Sequence, residues 1–443
     1  MADPIQRPIG TRDFAPDEMA VRRRLEAQMR GVFLRFGYRE VATPAFEELQ
    51  LFTAKSGPGI VEELYDFKDK GDRHLTLRPE LTAPAMRLYF HEHFNDPKPL
   101  KWFYHGPCYR YDRPQAGRYR EFWQFGCEQI GAGTPLAYAE LLALADATMK
   151  EVGLRQRDFY VGHVKVLKAA VGSFAFDEAT RGAMMRAIDK RNDDEIRKLA
   201  ESKRGCEAAL ERLFLVMDAP SVAAARHAMS TEVVQDEAAI RQALDELDGV
   251  MRYLSELGVK DAKLNLGIAR GLDYYTGIVF EMHCPALGAQ KQLLGGGGYD
   301  LSGVFGGTPT PTMGFGLGFD RTIVALEAEA KQAGKEGGAF APEPGPTVYF
   351  GALSEAALAK VLPVVAQLRA AGIQADLDLL GRKPGAVAKH ADAVRARSLV
   401  IVGDRDLESG SVQVKELSTG AIRAVPIAGL AQAFPAPSAA SSP

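Results

Sequence analysis

The chain is short of cysteine, of tryptophan and of net charge. Its four cysteines, Cys108, Cys127, Cys206 and Cys284, stand far apart and form no CxxC pair. That argues against a zinc ribbon or a disulfide scaffold and fits reduced thiols in cytosol. No uninterrupted apolar run approaches the ~20 residues that a bilayer span needs, and the opening MADPIQRPIGTRDF has no apolar core for export. A cytoplasmic protein with no membrane contact is expected. Lys and Arg total 54 against 57 Asp and Glu, a formal charge of −3. Without a global basic field, any polyanion has to be held by local patches. The eight histidines show no HExxH or similar metal-ligand spacing, and there is no GxSxG elbow. No protein-held metal and no serine nucleophile is expected. What the chain does have is 443 residues, 46% hydrophobic and 25% charged, enough for two to three globular domains.

Apolar Val21, Leu25, Met29, Val32, Phe33 and Phe36 recur at helical spacing between Pro16 and Phe36, with Gly37 as a stop. Short strands are predicted at Tyr38–Ala42, Leu64–Phe67 and His74–Leu77, the last two joined by a turn. Lys101–Tyr111 and Arg120–Ile130 flank a polar stretch and read as a long antiparallel hairpin. Thr134 and Pro135 open a helix that runs to about Glu151, before Gly153. From about Ser173 to Gly258 the composition turns to Ala, Glu, Arg and Leu, a helical insertion. Strands resume at Lys263–Gly267 and Ile278–Met282, followed by a helix at Arg321–Ala330, so the sheet draws on both sides of the insertion. Gly334–Pro346 has the texture of a linker. Beyond it a βαβαβ series occupies Thr347–Gly403, with further strands at Val412–Leu417 and Ala421–Val425. The fold class is α+β. The expected organisation is a first catalytic part at 1–172, an insertion at 173–258, a second catalytic part at 259–333, a linker at 334–346, an α/β domain at 347–434 and a disordered tail at 435–443.

Four segments carry polar chemistry. Tyr109–Glu121, YRYDRPQAGRYRE, sets four arginines against two acids. Guanidinium is always charged and forks onto phosphate oxygens, so the window is a candidate polyphosphate site, with Phe122 and Trp123 as a stacking face. A solvated hairpin tip fits the same window. Ile268–Glu281, IARGLDYYTGIVFE, offers a cation beside glycine and two tyrosine hydroxyls, suited to a small polar ligand or to a turn with aromatic packing. The run GGGGYD at Gly295–Asp300 matches neither a phosphate-binding loop nor a dinucleotide fingerprint and reads best as a flexible loop. MGFGLGFDR at Met313–Arg321 suits close packing of a strand and helix and ends in an arginine. His105 and His283 read as satisfied histidines within strands, and His91 and His93 as exposed.

Together and in this order, these segments resemble the histidyl-tRNA synthetases, a family of the class II aminoacyl-tRNA synthetases, from about Pro8 to Val425. Tyr38–Leu51, Phe103–Glu128 and Gly314–Arg321 look like the three class II motifs. RGLDYYTG at Arg270–Gly277 and RPQAGRYREF at Arg113–Phe122 look like segments peculiar to the histidine enzymes. The resemblance implies a catalytic domain with an antiparallel sheet flanked by helices, a helical insertion, and a C-terminal anticodon-binding domain. The implied activity is activation of L-histidine with ATP to histidyl-adenylate, helped by Mg²⁺, and transfer to the 3′ end of tRNA(His), by a homodimer formed through the first motif. It further implies that Glu80, Thr82 and Gln124 hold the α-amino group, that Glu128 and Tyr275 read the imidazole, and that Tyr299 lines the pocket. Arg110 would clamp the α-phosphate, Arg270 would bridge the carboxylate to it, and Arg321 would hold the γ-phosphate. Phe122 would stack on adenine, with Arg118 near the nucleotide tail. Arg382, Lys383 and Lys389 are candidates for contact with the RNA backbone.

Three positions depart from the family pattern. Gly298 stands where arginine is common, Asp320 where glutamate is frequent, and Trp123 where many bacterial members have histidine. A rival reading is a non-catalytic paralogue that senses histidine or regulates a phosphoribosyltransferase. Such subunits generally lack the C-terminal domain, which this chain has. Another class II synthetase, for proline, threonine or glycine, would lack RGLDYYTG.

Overall fold

The computed structural model describes residues 5–56, 58–112, 119–202, 205–230, 237–269, 275–335 and 338–434. The chain divides into two compact units, Met1–Ala15 with Arg22–Phe340, and Pro16–Val21 with Ala341–Pro443. Helix α1 (Pro16–Arg35) is followed by β1 (Arg39–Glu40), β2 (Phe46–Glu48), α2 (Gln50–Ser56), β3 (Tyr65–Lys68), β4 (His74–Leu77), α3 (Thr82–Leu88), β5 (Leu100–Tyr109), β6 (Glu121–Ile130) and α4 (Pro135–Glu151). Next come β7 (Asp158–His163), α5 (Val164–Gly172) and five helices, α6 (Glu178–Asp189), α7 (Asp193–Glu201), α8 (Glu207–Met217), α9 (Val222–Met229) and α10 (Glu237–Glu256). The unit closes with β8 (Lys263–Leu264), β9 (Tyr275–His283), β10 (Gln292–Tyr299), α11 (Ser302–Phe305), β11 (Thr312–Gly318) and α12 (Phe319–Gln332).

Local chemistry explains the helices that frame the sheet. In α1, Leu25, Met29, Val32 and Phe33 are buried along one face, and Gly37, at φ 78°, ends the run. Phe33 lies 5.2 Å from the ring of Phe103 and 5.1 Å from that of Phe125, which locks α1 across β5 and β6. Burying one such side chain stabilises by about 1.5–3 kcal/mol. In α4 the Thr134 hydroxyl accepts from Ala137 N at 3.2 Å, and Pro135 fills the first turn.

The main sheet has eight strands in the order β1-β5-β6-β11-β10-β9-β7-β8. β5 and β6 form one antiparallel ladder from Leu100↔Ile130 to Tyr109↔Glu121. β11 joins β6 from the far side of the inserted helices, with Gly318 opposite Gln124. The sheet therefore uses chain on both sides of the insertion, as the spacing of strands predicts. A small sheet, β2-β4-β3, packs beside it in sequence.

One expectation is corrected. The glycine run is no loop: Gly295–Tyr299 belong to β10, paired with β9 on one side and β11 on the other. Glycine forms strands poorly, and the reason for it here is steric. A Cβ on Gly298 would overlap the Tyr138 hydroxyl of α4. The strands at Tyr38–Ala42 and Lys263–Gly267 also shorten to two residues each.

The second unit holds β12 (Val348–Ala352), α13 (Glu355–Ala370), β13 (Ala375–Leu377), α14 (Pro384–Ala393), β14 (Ser398–Val402), α15 (Asp404–Ser409), β15 (Ser411–Glu416) and β16 (Ile422–Pro426). Its sheet order is β13-β12-β14-β15-β16, parallel among the first three and antiparallel after them. Val348, Phe350, Val365, Val400 and Val402 fill its core. Lys383 and Lys389 are exposed, while Arg382 is half-buried, its backbone N donating to Asp378 Oδ2 at 2.6 Å and its guanidinium to Oδ1. The expectation of an exposed cation at Arg382 is corrected accordingly.

Candidate active site

A cavity of about 580 Å³ opens on the main sheet of the first unit, and Glu80, Thr82, Arg110, Phe122, Gln124, Tyr275 and Arg321 all line it. Residues from Glu80, just before α3, to Arg321 of α12, more than 240 positions apart in sequence, thus share one space. Arg118 and Arg270 lie outside the described residues.

Arg110 follows the end of β5. Its backbone N donates to Arg120 O at 2.9 Å, its Nε donates to Pro79 O at 2.9 Å, and its guanidinium sits 5.3 Å from the Phe122 ring centroid. One edge of the fork is therefore tied to the backbone, which orients the rest. Arg321 stands in the first turn of α12 and donates from Nη1 to Gln292 O at 3.0 Å. Two guanidiniums from separate segments line the same cavity, an arrangement suited to polyphosphate.

The opposite chemistry gathers at α3. Glu80 accepts from Thr82 N at 2.5 Å and Ala83 N at 2.9 Å, capping a helix whose cap residue Leu81 supplies no side-chain bond. Burial raises its carboxyl above the ordinary range, against the pull of those N–H groups and of Arg110. Thr82 Oγ1 lies 3.1 Å from the Tyr104 hydroxyl, which donates to Glu128 Oε1 at 2.7 Å. The Tyr299 hydroxyl donates to Glu128 Oε2. Glu128 is fully buried, and burial pushes its carboxyl up to about 8. Glu128 and Tyr299 are not among the residues that line the cavity; a hydrogen-bond chain through Tyr104 joins them to its lining residue Thr82. Gln124 Oε1 accepts from Cys108 Sγ at 3.4 Å, and Tyr275 pairs with Tyr299 across β9 and β10.

The scan against family models matches the model described as histidyl-tRNA synthetase at residues 10–322 and the anticodon binding domain at 347–436. The chain belongs to the histidyl-tRNA synthetase family. Curated relatives include the histidine--tRNA ligase of Archaeoglobus fulgidus, 42% identical over 94% of this chain and 96% of that protein. The one from Methanoregula boonei is 42% identical over 94% and 95%. Among solved structures, the apo histidyl-tRNA synthetase of S. aureus superposes with a TM-score of 0.71 at 27% identity, covering 98% of this chain and 100% of that one. The match to the anticodon-binding model lies in the part that the paralogue reading would lack.

Within this family member, several site neighbours escape sequence reasoning. Tyr104 and Cys108 sit in a strand whose alternation shows burial but not what the hydroxyl and thiol face. His105 packs among Trp123, Phe125 and Phe319, and desolvation pushes it down to about 4; its Nδ1 lies 3.3 Å from Glu26, but its Nε2 is buried with no hydrogen-bond partner among the described residues, so the expectation of a satisfied histidine is corrected. His283 pairs with Glu281 at 2.9 Å. The departure at Gly298 has a structural reason in Tyr138, which fills the space that a side chain there would need. Gly298→Ala is expected to destabilise by about 1–3 kcal/mol through overpacking. In Gly298→Ala/Tyr138→Phe, which removes the colliding oxygen, the cost falls below the sum of the single changes. Denaturant unfolding of the four proteins measures this, and simple additivity would refute the contact.

Proposed function

We propose that the chain is a histidine--tRNA ligase whose adenylation step is organised by the cavity lining just described. The observation that carries the reading is the meeting of Arg110, Arg321, Glu80, Gln124 and Tyr275 around one cavity in a chain of this family.

The reaction joins a carboxylate oxygen of histidine to the α-phosphorus of ATP and breaks the bond to the bridging oxygen, so that pyrophosphate leaves. A ribose hydroxyl at the 3′ end of tRNA(His) then takes the aminoacyl group and AMP departs. Neither step needs a covalent enzyme intermediate, because positioning and charge neutralisation supply most of the acceleration. In this reading Arg110 holds the α-phosphate, Arg321 the γ-phosphate, and Phe122 the adenine, with Arg118 near the nucleotide tail and Arg270 between the carboxylate and the α-phosphate. Glu80, Thr82 and Gln124 take the ammonium. Neutral imidazole has one donor and one acceptor, and Glu128 with Tyr275 would supply the complementary pair, with Tyr299 lining the pocket.

Mg²⁺ takes few protein ligands and rides largely on phosphate oxygens. Among the described residues no group of three or more His, Cys, Asp or Glu side chains could hold a metal ion. Of the carboxylates that line the cavity, Glu281 would face such a phosphate-borne ion beside Arg321: its Oε1 accepts from Gln292 Nε2 at 3.0 Å, its Oε2 pairs with His283, and Gln292 O in turn accepts from Arg321. The ion, when bound, would neutralise charge on the departing pyrophosphate. The C-terminal unit would hold the anticodon, with Lys383 and Lys389 as backbone contacts. Homodimer formation through Tyr38–Leu51 and a cytoplasmic location complete the proposal; among the described residues no helix is long and apolar enough to cross a membrane.

Purified protein is expected to exchange pyrophosphate into ATP with histidine and with no other amino acid at a comparable rate. Arg270→Ala is expected to abolish exchange while ATP binding stays measurable. Equal exchange with several amino acids would end the specificity claim, and none with histidine would favour a regulatory role.

A further inference from the structure

Asp320 is a buried carboxylate, 3% exposed, beside Arg321 at the start of α12. β11 ends at Gly318 opposite Gln124, so the next N–H along β6, that of Trp123, meets no strand carbonyl there. It donates instead to Asp320 Oδ2 at 2.6 Å. Oδ1 accepts from Arg22 Nη1 at 2.6 Å, and Arg12 Nη2 lies 2.7 Å from it as an ion pair, its Nε and Nη2 buried without a hydrogen-bond partner among the described residues. One carboxylate thus joins the helix that carries Arg321 to the strand segment that carries Phe122 and Gln124, and both Trp123 and Asp320 line the cavity.

Arg22 belongs to the core. It is 7% exposed, with its guanidinium 4.0 Å from the Phe14 ring centroid and 5.0 Å from that of Phe319. Arg12 is different, because it reaches the cluster from an N-terminal turn. Its guanidinium lies 3.5 Å from the ring centroid of Tyr119, another lining residue. That turn is pinned to the same arm of the hairpin, since Gly10 O accepts from Arg120 N at 2.9 Å. Gly10 has φ +85°, and a Cβ on it would stand 2.7 Å from Arg120 Cγ. Two guanidiniums against one carboxylate leave the cluster with an excess positive charge at the edge of a cavity read as taking a polyanion.

We propose that Arg12 is a positioning residue for the nucleotide: by pairing its charge with Asp320 and laying its face on Tyr119, it ties the Tyr119 end of the hairpin arm to the helix that carries Arg321. The proposal rests on the adenylation reading above. Without Arg12, Asp320 keeps Arg22 and the Trp123 N–H, so the fold persists. What is lost is the second tie, the one that runs through Tyr119 and the N-terminal turn to the arginine helix, and small misplacements of that kind cost catalysis steeply.

The test compares the full-length protein with Arg12→Ala, Arg12→Lys and Gly10→Ala in histidine-dependent pyrophosphate exchange, with ATP affinity by titration calorimetry on the same samples. Arg12→Ala is expected to lower kcat/KM for ATP by about ten- to a hundredfold while KM for histidine moves less than about twofold. Arg12→Lys, which keeps the charge on Asp320 but not the planar face, should fall between it and the parent. Gly10→Ala, which displaces the turn, should shift ATP parameters in the same direction. ATP parameters within about twofold of the parent in Arg12→Ala, or equal losses for ATP and histidine, would overturn the proposal. If Arg12→Ala does not fold, the other two variants decide on the same terms. If the parent shows no exchange, the adenylation reading falls, whereas the calorimetric comparison still decides whether Arg12 serves ATP.

Discussion

Arg110→Ala is expected to slow histidine-dependent pyrophosphate exchange by about 10³-fold, the range seen when a preorganised charged donor is taken from a developing phosphoryl transition state. The geometry makes this arginine hard to replace. Its Nε is committed to Pro79 O, its backbone N to Arg120 O, and its plane to the Phe122 ring. Those anchors spend one edge of the fork on orientation and leave the other for the ligand. Lysine has a single nitrogen and cannot serve both, so Arg110→Lys should recover only a small part of the loss. Phe122 would be left without its cation neighbour, which weakens both the phosphate and the adenine contacts. Exchange rates beside a thermal melt decide the matter: a folded Arg110→Ala protein retaining more than about a tenth of parental kcat would remove Arg110 from the chemistry.

Glu128→Gln is expected to have two separable effects. For substrate, a site built from buried polar partners loses about 10³-fold or more in kcat/KM when one partner's complementarity is broken, because the remaining groups are left mismatched. The partners here are the Tyr104 and Tyr299 hydroxyls, with Thr82 behind Tyr104, and the carboxylate itself fills the space over Gly314. Glutamine keeps the shape but offers one oxygen in place of two, so the pocket changes its pattern rather than its volume.

The second effect concerns pH. Burial, its main cause, holds the folded Glu128 carboxyl up to about 8, partly offset by the two tyrosines, against an ordinary value of 4.5. Between those two values the unfolded chain has released the proton that the folded chain still holds. The native state binds more protons there, so its stability falls as pH rises through the window and levels off above it. Glu128→Gln has no such proton to lose. The melting temperature of the variant relative to the parent should therefore rise between pH 5 and pH 8.5. A difference that stays flat across that range would show that the carboxyl titrates normally in the folded protein.

Much of the scaffold is legible in the sequence because it is written in short-range terms. The period of Leu25, Met29, Val32 and Phe33 defines α1, and Thr134 with Pro135 starts α4 where its cap bond is observed. The βαβαβ series after Thr347 alternates on the scale of single elements and comes out as three parallel strands, to which β15 and β16 add antiparallel. Helix α3 carries no such short-range signal, for its cap is Glu80, two residues before its first position, rather than a serine or threonine. The arginines of Tyr109–Glu121 and the small-residue segment ending in Arg321 announce an anion site as residue types.

Composition, element spacing and the run of family-like segments belong to the sequence by itself: an α+β synthetase with a helical insertion and an anticodon-binding unit, and the residue types of its site. Tertiary structure alone decided that four consecutive glycines form an interior strand, since neighbours that arrive from elsewhere leave no room for a side chain: Gly314 O and Phe315 over Gly296, Ile278 O and Tyr275 over Gly297, and Tyr138 from α4 over Gly298. It alone decided that Asp320 meets both Arg22 and the Trp123 N–H, partners 298 and 197 positions away. Local propensity acts over a few residues, whereas charge pairing and close packing are settled by whichever segments the folded sheet brings within reach.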